Sequence, residues 1–222
     1  DLDWGSDFAL WLIDSFRDQL PDLKDGNALN LGCKTGRVSF ELARYFTHVS
    51  GLDSTARIIQ LAARIKEEGF IRYIEQEEGE ITSIAEHSLK EKELQDYAAR
   101  VEFWQADSSN LAPKYDGYDF VLALNTLEEA IDPSRFLSII PERMKSGAYL
   151  VIADAFLFKA APPPASIRKA GEPYRSWDWL KESMVADFEL VAEPKDVWQP
   201  LRQSNRLYHS RLLQVSVWRK KH

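Results

Sequence analysis

An apolar run ending in Gly32-Cys-Lys-Thr-Gly36, a helical pattern directly behind it, and a carboxylate seventeen residues past the second glycine restrict the fold more than any other feature. The stretch reads Ala28-Leu-Asn-Leu-Gly-Cys-Lys-Thr-Gly-Arg37, then Val38-Ser-Phe-Glu-Leu-Ala43, then Gly51-Leu-Asp53. A strand turning through glycines into a helix, followed by a second strand tipped with an acid, predicts a pocket at the carboxyl edge of a parallel sheet. Glycine lets the backbone come close to a ligand. The acid accepts hydrogen bonds from vicinal ribose hydroxyls, so the expected ligand is a ribose-bearing cofactor.

The rest of the chain repeats that alternation. Strand patterns fall at 28–31, 48–52, 101–105, 118–123 and 147–153, with helical patterns at 37–46, 55–67, 88–98 and 133–144. Such alternation predicts βαβ units in a parallel sheet covered on both faces. Phe8, Leu10, Leu12, Ile13, Phe16 and Leu20 keep helical spacing and predict an opening helix within residues 1–24. Late in the chain, 186–192 and 212–218 read as strands with no helical pattern between them, an antiparallel pair closing the sheet. Two insertions are expected: a hairpin over 69–86 with the acidic tip Glu77-Glu-Gly-Glu80, and a lid-like loop over 157–176 carrying Pro162-Pro-Pro164 and Gly171-Glu-Pro173.

Bulk properties bound the function. A chain of 222 residues supports one large domain with its own core. A net charge of −7 argues against a nucleic-acid partner, because such affinity depends on neutralised phosphates. The basic tail Arg219-Lys-Lys-His222 reads as solvated. No apolar run approaches the roughly 18 residues of a membrane span, and no signal-peptide pattern opens the chain. One cysteine, Cys33, leaves no internal disulfide and no multi-cysteine metal site, which fits a cytoplasmic setting. The start at Asp1, with no methionine, is expected of a trimmed chain or of one domain of a longer protein.

The spacing of the turn selects the cofactor. A nicotinamide site needs Gly-x-Gly-x-x-Gly, and here Lys34 stands where the middle glycine belongs. A Walker loop needs Gly-Lys-Ser/Thr, also missing. S-adenosylmethionine carries no phosphate; it needs an open glycine turn, an acid after the second strand, a polar group after the third, and an open fourth strand end facing the sulfonium. Gly32 and Gly36, Asp53, Asp107 in Gln105-Ala-Asp-Ser108, and Asn125 after 119–124 supply these parts in order. The expected fold is therefore the class I S-adenosylmethionine-dependent methyltransferase, a Rossmann-like, mostly parallel seven-stranded sheet with the last strand antiparallel. The expected cofactor contacts are Asn30, Gly32, Cys33, Gly36, Arg37, Asp53, Ser54, Ala106, Asp107, Ser108 and Asn125, with S-adenosylhomocysteine as product. Alternatives stay open: Asp53 as a helix cap, Asp107 as a turn residue, Asn125 as a strand-end residue, Cys33 as packing rather than a nucleophile. Asn30 stands where the motif usually has an acid, and the Lys34 ammonium is expected to point to solvent.

From Leu29 to Trp218 the chain resembles the C-terminal methyltransferase domain of the ovothiol-making enzymes. The resemblance rests on Leu31-Gly-Cys-Lys-Thr-Gly-Arg-Val-Ser-Phe-Glu-Leu-Ala-Arg44, Asp53-Ser-Thr-Ala-Arg-Ile-Ile59, Glu77-Glu-Gly-Glu-Ile81 and Arg100-Val-Glu-Phe-Trp-Gln-Ala-Asp107. Leu111-Ala-Pro-Lys-Tyr-Asp-Gly-Tyr-Asp119, Asp132-Pro133 and Val215-Ser-Val-Trp-Arg219 extend it. It implies methyl transfer to an imidazole nitrogen of 5-thiohistidine, with an iron-dependent sulfoxide synthase fused or paired. Departures fall where substrate should bind: Ala153-Asp-Ala-Phe-Leu-Phe158 replaces an aromatic-rich Ser-Pro-Tyr segment, Glu128-Glu129 follows Asn125, and Trp4-Gly5 matches a Tyr-Gly only loosely. A selenium analogue or related thio-imidazole is therefore also an expected acceptor.

On that reading Asn125 and Glu128 orient the acceptor ring, Asp154 pairs with its ammonium, and Arg211 or Arg206 takes its carboxylate. Trp177 and Trp179 wall the pocket or pack in the core; His209 is a weak base candidate. Glu128 as a solvated helix start, Asp154 as a cap and both arginines as surface residues remain open. No metal is expected. The competing functions are S- or O-methylation of another small acceptor, and a non-catalytic cofactor-binding domain of a larger enzyme.

Overall fold

The computed structural model describes residues 8–158, 175–202, 204 and 206–222. Most of the lid-like stretch and the Trp4-Gly5 match lie outside the described residues. Helix α1 (Phe8–Arg17) opens the described chain, followed by β1 (Asn27–Leu31), α2 (Arg37–Leu42), β2 (His48–Asp53) and α3 (Ala56–Glu68). Then come β3 (Phe70–Glu78), β4 (Ile81–Ser88), β5 (Val101–Gln105), β6 (Tyr118–Leu124), α4 (Thr126–Glu129), α5 (Pro133–Ile139) and β7 (Met144–Asp154). The chain closes with α6 (Ser176–Met184), β8 (Phe188–Leu190), β9 (Lys195–Arg202) and β10 (Tyr208–Lys220).

The main sheet runs β5-β2-β1-β6-β7-β10-β8. The β1, β2, β5, β6 and β7 pairings are parallel, and β10 pairs antiparallel with β7 and β8. This is the class I methyltransferase sheet. The order reverses at β1 and β6, which places a binding crevice beyond the carboxyl ends of those strands. Helix α1 and the inner face of α2 pack on one side, where Phe120 stacks between Phe16 and Phe46 at ring distances of 5.7 and 5.1 Å. Phe136 of α5 and Trp179 of α6 are buried on the other side.

Three details differ from the sequence expectation. The sheet has an eighth strand, β9, paired with the first half of β10. It carries Pro200, which an edge strand tolerates because the missing N–H faces away from the ladder. The helical pattern at 88–98 yields only a 3₁₀ turn at Gln95–Arg100. Glu93 takes a positive φ of 56° and Leu94 N–H closes on Leu89 O at 2.7 Å, so Leu89, Leu94 and Ala98 reach the core from a turn. The pattern at 133–144 holds as α5 and then tightens into 3₁₀ over Ile140–Arg143, where Pro141 has no N–H to give.

The acidic hairpin is a separate two-stranded sheet of β3 and β4. Its acids meet arginines on and after β9: Arg202 lies 3.1 Å from Glu75, and Arg206 lies 2.6 Å from Glu78.

Candidate active site

The turn after β1 is left-handed at three places, Gly32 (φ 70°), Lys34 (φ 52°) and Gly36 (φ 92°). A Cβ on Gly32 would lie 2.5 Å from the Leu124 carbonyl oxygen, and one on Gly36 would lie 2.4 Å from the Phe103 ring. The need for glycine visible here is thus close packing against β6 and a β5 ring, in addition to the backbone conformation. Cys33 N–H donates to Leu52 O at 3.0 Å, tying the turn to β2. Its thiol is buried, and burial, with the nearby Asp53 carboxylate, pushes it well up, so it stays protonated and packs.

Asp53 closes β2 at 5% exposure. One carboxylate oxygen accepts from Lys34 N–H at 3.2 Å, the other from Thr55 N–H at 2.9 Å, just ahead of α3. A carboxylate has about four lone-pair sites, so roughly two remain for a pair of ribose hydroxyls. Local capping and ribose binding are therefore compatible. Asp107 repeats the design after β5: Oδ1 caps the following 3₁₀ turn by accepting from Ser109 N–H at 2.8 Å, and the residue is exposed.

A cavity of about 230 Å³ joins these groups. Gly32, Asp53, Ser54, Ala106, Asp107 and Ser108 line it, and Leu31, Leu52 and Ile131 give it apolar walls. Pockets for drug-sized ligands start near ~300 Å³, so this one suits the adenosine half of a cofactor and leaves the rest to the open turn. The donor set fits S-adenosylmethionine: a carboxylate for the ribose at one end, an acceptor for the adenine amine at the other, and apolar faces between them. Lys34 Nζ sits at the rim, 2.7 Å from Glu129 and 44% exposed, neutralised rather than aimed inward.

Five expected cofactor residues stand back from this cavity; Gly36 is held against the Phe103 ring. Asn30 is fully buried in β1; its amide donates to Ser39 Oγ at 2.8 Å and its Oδ1 has no partner among the described residues. Cys33 is buried in the turn. Arg37 bonds Glu41 at 2.6 Å and, with Thr35, lines a separate cavity of about 410 Å³ bounded by Arg202 and Tyr208. Asn125 lies at the end of β6, in the second cluster.

That cluster gathers Asn125, Glu128, Asp154 and Arg211. Asn125 takes φ 52°, and its N–H donates to Ala153 O at 2.8 Å. Its Nδ2 donates to Gln199 at 3.2 Å, leaving Oδ1 buried and without a partner among the described residues. Glu128 is buried in α4, ion-paired with Arg211, and accepts from Leu157 N–H at 3.3 Å. It is no solvated helix start. Asp154 ends β7 with no exposure and accepts from Leu127, Glu128 and Phe156 N–H at 2.9, 3.2 and 2.7 Å. Burial lifts its carboxyl to about 7; the nearby Glu128 carboxylate adds to that, and the three N–H bonds oppose it.

The remaining candidates lie apart. Trp177 packs on Trp218, ring centroids 5.8 Å apart, with the Lys181 ammonium 5.6 Å from its ring. Trp179 is buried edge-on to Phe158 at 5.7 Å. Arg206 pairs with Glu78 on the hairpin, and His209 is exposed. Gln199, bonded to Asn125, was not anticipated; it lies on β9, and Pro200 beside it hid that strand.

Among known proteins, the family model described as a methyltransferase domain matches residues 22–211. The chain belongs to that family. It is an enzyme of the S-adenosylmethionine-dependent methyltransferase class, and S-adenosylmethionine is its methyl donor. The fold is similar to that of the N-methyltransferase NodS from Bradyrhizobium japonicum, solved with S-adenosyl-L-homocysteine: 12% identity, TM-score 0.60, 100% of this chain and 90% of that one. It is also similar to an S-adenosylmethionine-dependent methyltransferase from Methanosarcina mazei, at 19% identity and TM-score 0.56 over 93% and 96% of the two chains. A third likeness, to the [4+2]-cyclase SpnF, has 16% identity and TM-score 0.59 over 98% and 86%. Identities this low speak for fold alone. No curated protein sequence matches. Among the described residues no helix is long and apolar enough to cross a membrane.

Proposed function

We propose that the chain transfers a methyl group to an imidazole nitrogen of 5-thiohistidine or a close thio- or seleno-imidazole analogue. The observation that carries this reading is the cluster at the β6 and β7 ends. A buried amide oxygen with no partner among the described residues, Asn125 Oδ1, stands beside two buried carboxylates, Glu128 and Asp154. The sequence resemblance to ovothiol-making enzymes supports the acceptor, and NodS offers an N-methyltransferase on the same fold. On this reading the chain works in the cytoplasm beside or fused to an iron-dependent sulfoxide synthase, with no nucleic-acid or membrane partner.

The bound cofactor supplies an electrophilic methyl on a sulfonium; the acceptor nitrogen forms the new C–N bond as the C–S bond breaks. The protein has to position the acceptor. Asn125 Oδ1 accepts the N–H of one ring nitrogen and so fixes the tautomer, leaving the lone pair of the other nitrogen free to attack. No general base is needed for a neutral ring, so most of the acceleration comes from alignment at roughly 3 Å. Glu128, held by Arg211, backs the ring; Asp154 takes the ammonium, and an Arg211 N–H not engaged by Glu128 takes the carboxylate.

Incubation with S-adenosylmethionine and 5-thiohistidine should yield a product whose fragmentation places the methyl on a ring nitrogen. A methyl on sulfur, or no product from any thio-imidazole, contradicts the reading. Acceptor affinity should also depend on pH. Asp154 attracts an ammonium only when ionised, so affinity should rise about tenfold from pH 6 to pH 8 around a carboxyl near 7. In Asp154→Asn the rise should vanish; an unchanged profile places the titrating group elsewhere.

A further inference from the structure

We propose that the cavity of about 410 Å³ beside the cofactor turn is a second ligand site, one that takes a small carboxylate with an aromatic or branched apolar body. It shares no lining residue with the adenosine cavity, and none of Asn125, Glu128, Asp154 and Arg211 lines it. The proposal goes beyond the methyl-transfer reading and stands whichever acceptor is methylated.

The cavity is built where the hairpin and β9 meet the helices of the core. Helices α1, α2 and α3 each give it a wall residue, Phe8, Phe40 and Ile65. The hairpin closes it with Ile71 of β3 and His87 of β4, and β9 closes it with Pro200 and Arg202. Hairpin and β9 are joined by the Arg202–Glu75 ion pair at 3.1 Å. The volume falls within the range of small-molecule sites, roughly 300–1,000 Å³.

Its two sides differ in chemistry. Phe40, Ile65, Leu89 and Leu94 are buried and form the inner side. On the outer side Arg202, Lys92 and His87 are exposed and Arg37 is half-buried. No aspartate or glutamate is among the lining residues, in a chain whose net charge is −7. Three permanent cations around an apolar hollow raise the local concentration of anions, and the low-dielectric wall strengthens their pull. The burial of an apolar body against the inner side adds to that. Glu75 anchors the Arg202 guanidinium, and Glu41 anchors that of Arg37 at 2.6 Å. A guanidinium is a planar fork of five N–H donors, so an anchored arginine can engage a second carboxylate with little further ordering. The rings of Phe8, Phe40 and Tyr208 in the lining suit a flat body. A cationic ligand of the same shape is repelled, and a neutral one gains burial alone.

Amide-shift titration of the isotope-labelled, S-adenosylhomocysteine-loaded protein tests this, with hydrocinnamate and its neutral amide, hydrocinnamamide, as probes. Hydrocinnamate should give saturable shifts at the residues lining the cavity, with a Kd on the order of 1 mM or tighter. Hydrocinnamamide should bind about tenfold more weakly. Arg202→Met should bring the acid down to the level of the amide and leave the amide unchanged, while Arg202→Lys, which keeps the charge, should recover part of the loss. Ile71→Trp fills the hollow and should abolish binding of both probes. The amide spectra report whether each variant is folded, and the comparison of the two probes on the wild type decides without any variant. Equal affinity for acid and amide overturns the proposal. So does the lack of a saturable shift up to about 10 mM hydrocinnamate. Shifts gathered at Asp53 and Asp107, or displacement of S-adenosylhomocysteine by the probe, would assign the binding to the cofactor site and overturn it equally.

Discussion

Replacing Arg211 with methionine is expected to destabilise the protein by about 3–5 kcal/mol, a large effect for one residue 31% exposed at its side chain. The reason is the partner. Glu128 has no side-chain exposure, and among the described residues its other oxygen is held only by Leu157 N–H at 3.3 Å. Without the guanidinium, a carboxylate stays buried next to Asp154 with one weak donor. The cost is that of the uncompensated charge, far above what a surface pair loses. Arg206 and Glu78 provide the contrast: at 71% and 62% exposure, Arg206→Met should change stability by less than about 1 kcal/mol. Urea denaturation of both variants measures the difference. Glu128→Gln combined with Arg211→Met should recover most of the loss, because it removes the stranded charge. A loss near that of Arg206→Met would mean that Glu128 reaches water or another cation when Arg211 is gone.

The parts of the site that follow local chain direction were legible in the sequence. Gly32, Asp53 and Asp107 each close a parallel strand, and a strand followed by a turn and a helix announces itself by periodicity. Glycine spacing also separated this turn from the nicotinamide and nucleotide-phosphate types. What stayed hidden depends on pairing between distant segments. Gln199 needed β9, whose run Lys195–Arg202 mixes charges and Pro200 with apolar residues and carries no strand signature. Helix α6 was not anticipated: it starts where the lid-like stretch ends, is only nine residues long and follows Gly171-Glu-Pro173 closely. The false helix at 88–98 shows the opposite error. Leu89, Leu94 and Ala98 are all buried, but a turn brings them to the core, and burial alone mimicked periodicity.

The second large effect concerns the cofactor. Asp53→Ala should weaken S-adenosylmethionine binding about 100-fold, or about 2.7 kcal/mol. Hydrogen bonds to a charged acceptor are each worth roughly 1.5–3 kcal/mol, and the substitution removes those to the ribose. It also frees Lys34 N–H and Thr55 N–H, which hold the glycine turn and the start of α3 against β2. Asp53→Asn keeps one oxygen and should lose about tenfold.

Titration of S-adenosylmethionine into wild-type protein and Asp53→Ala, with a thermal melt confirming that both are folded, tests the strand-tip cradle most directly. One equivalent bound by the wild type and about 100-fold weaker binding by the variant is the predicted result. Equal affinities, or a folded wild type that binds none, would contradict it.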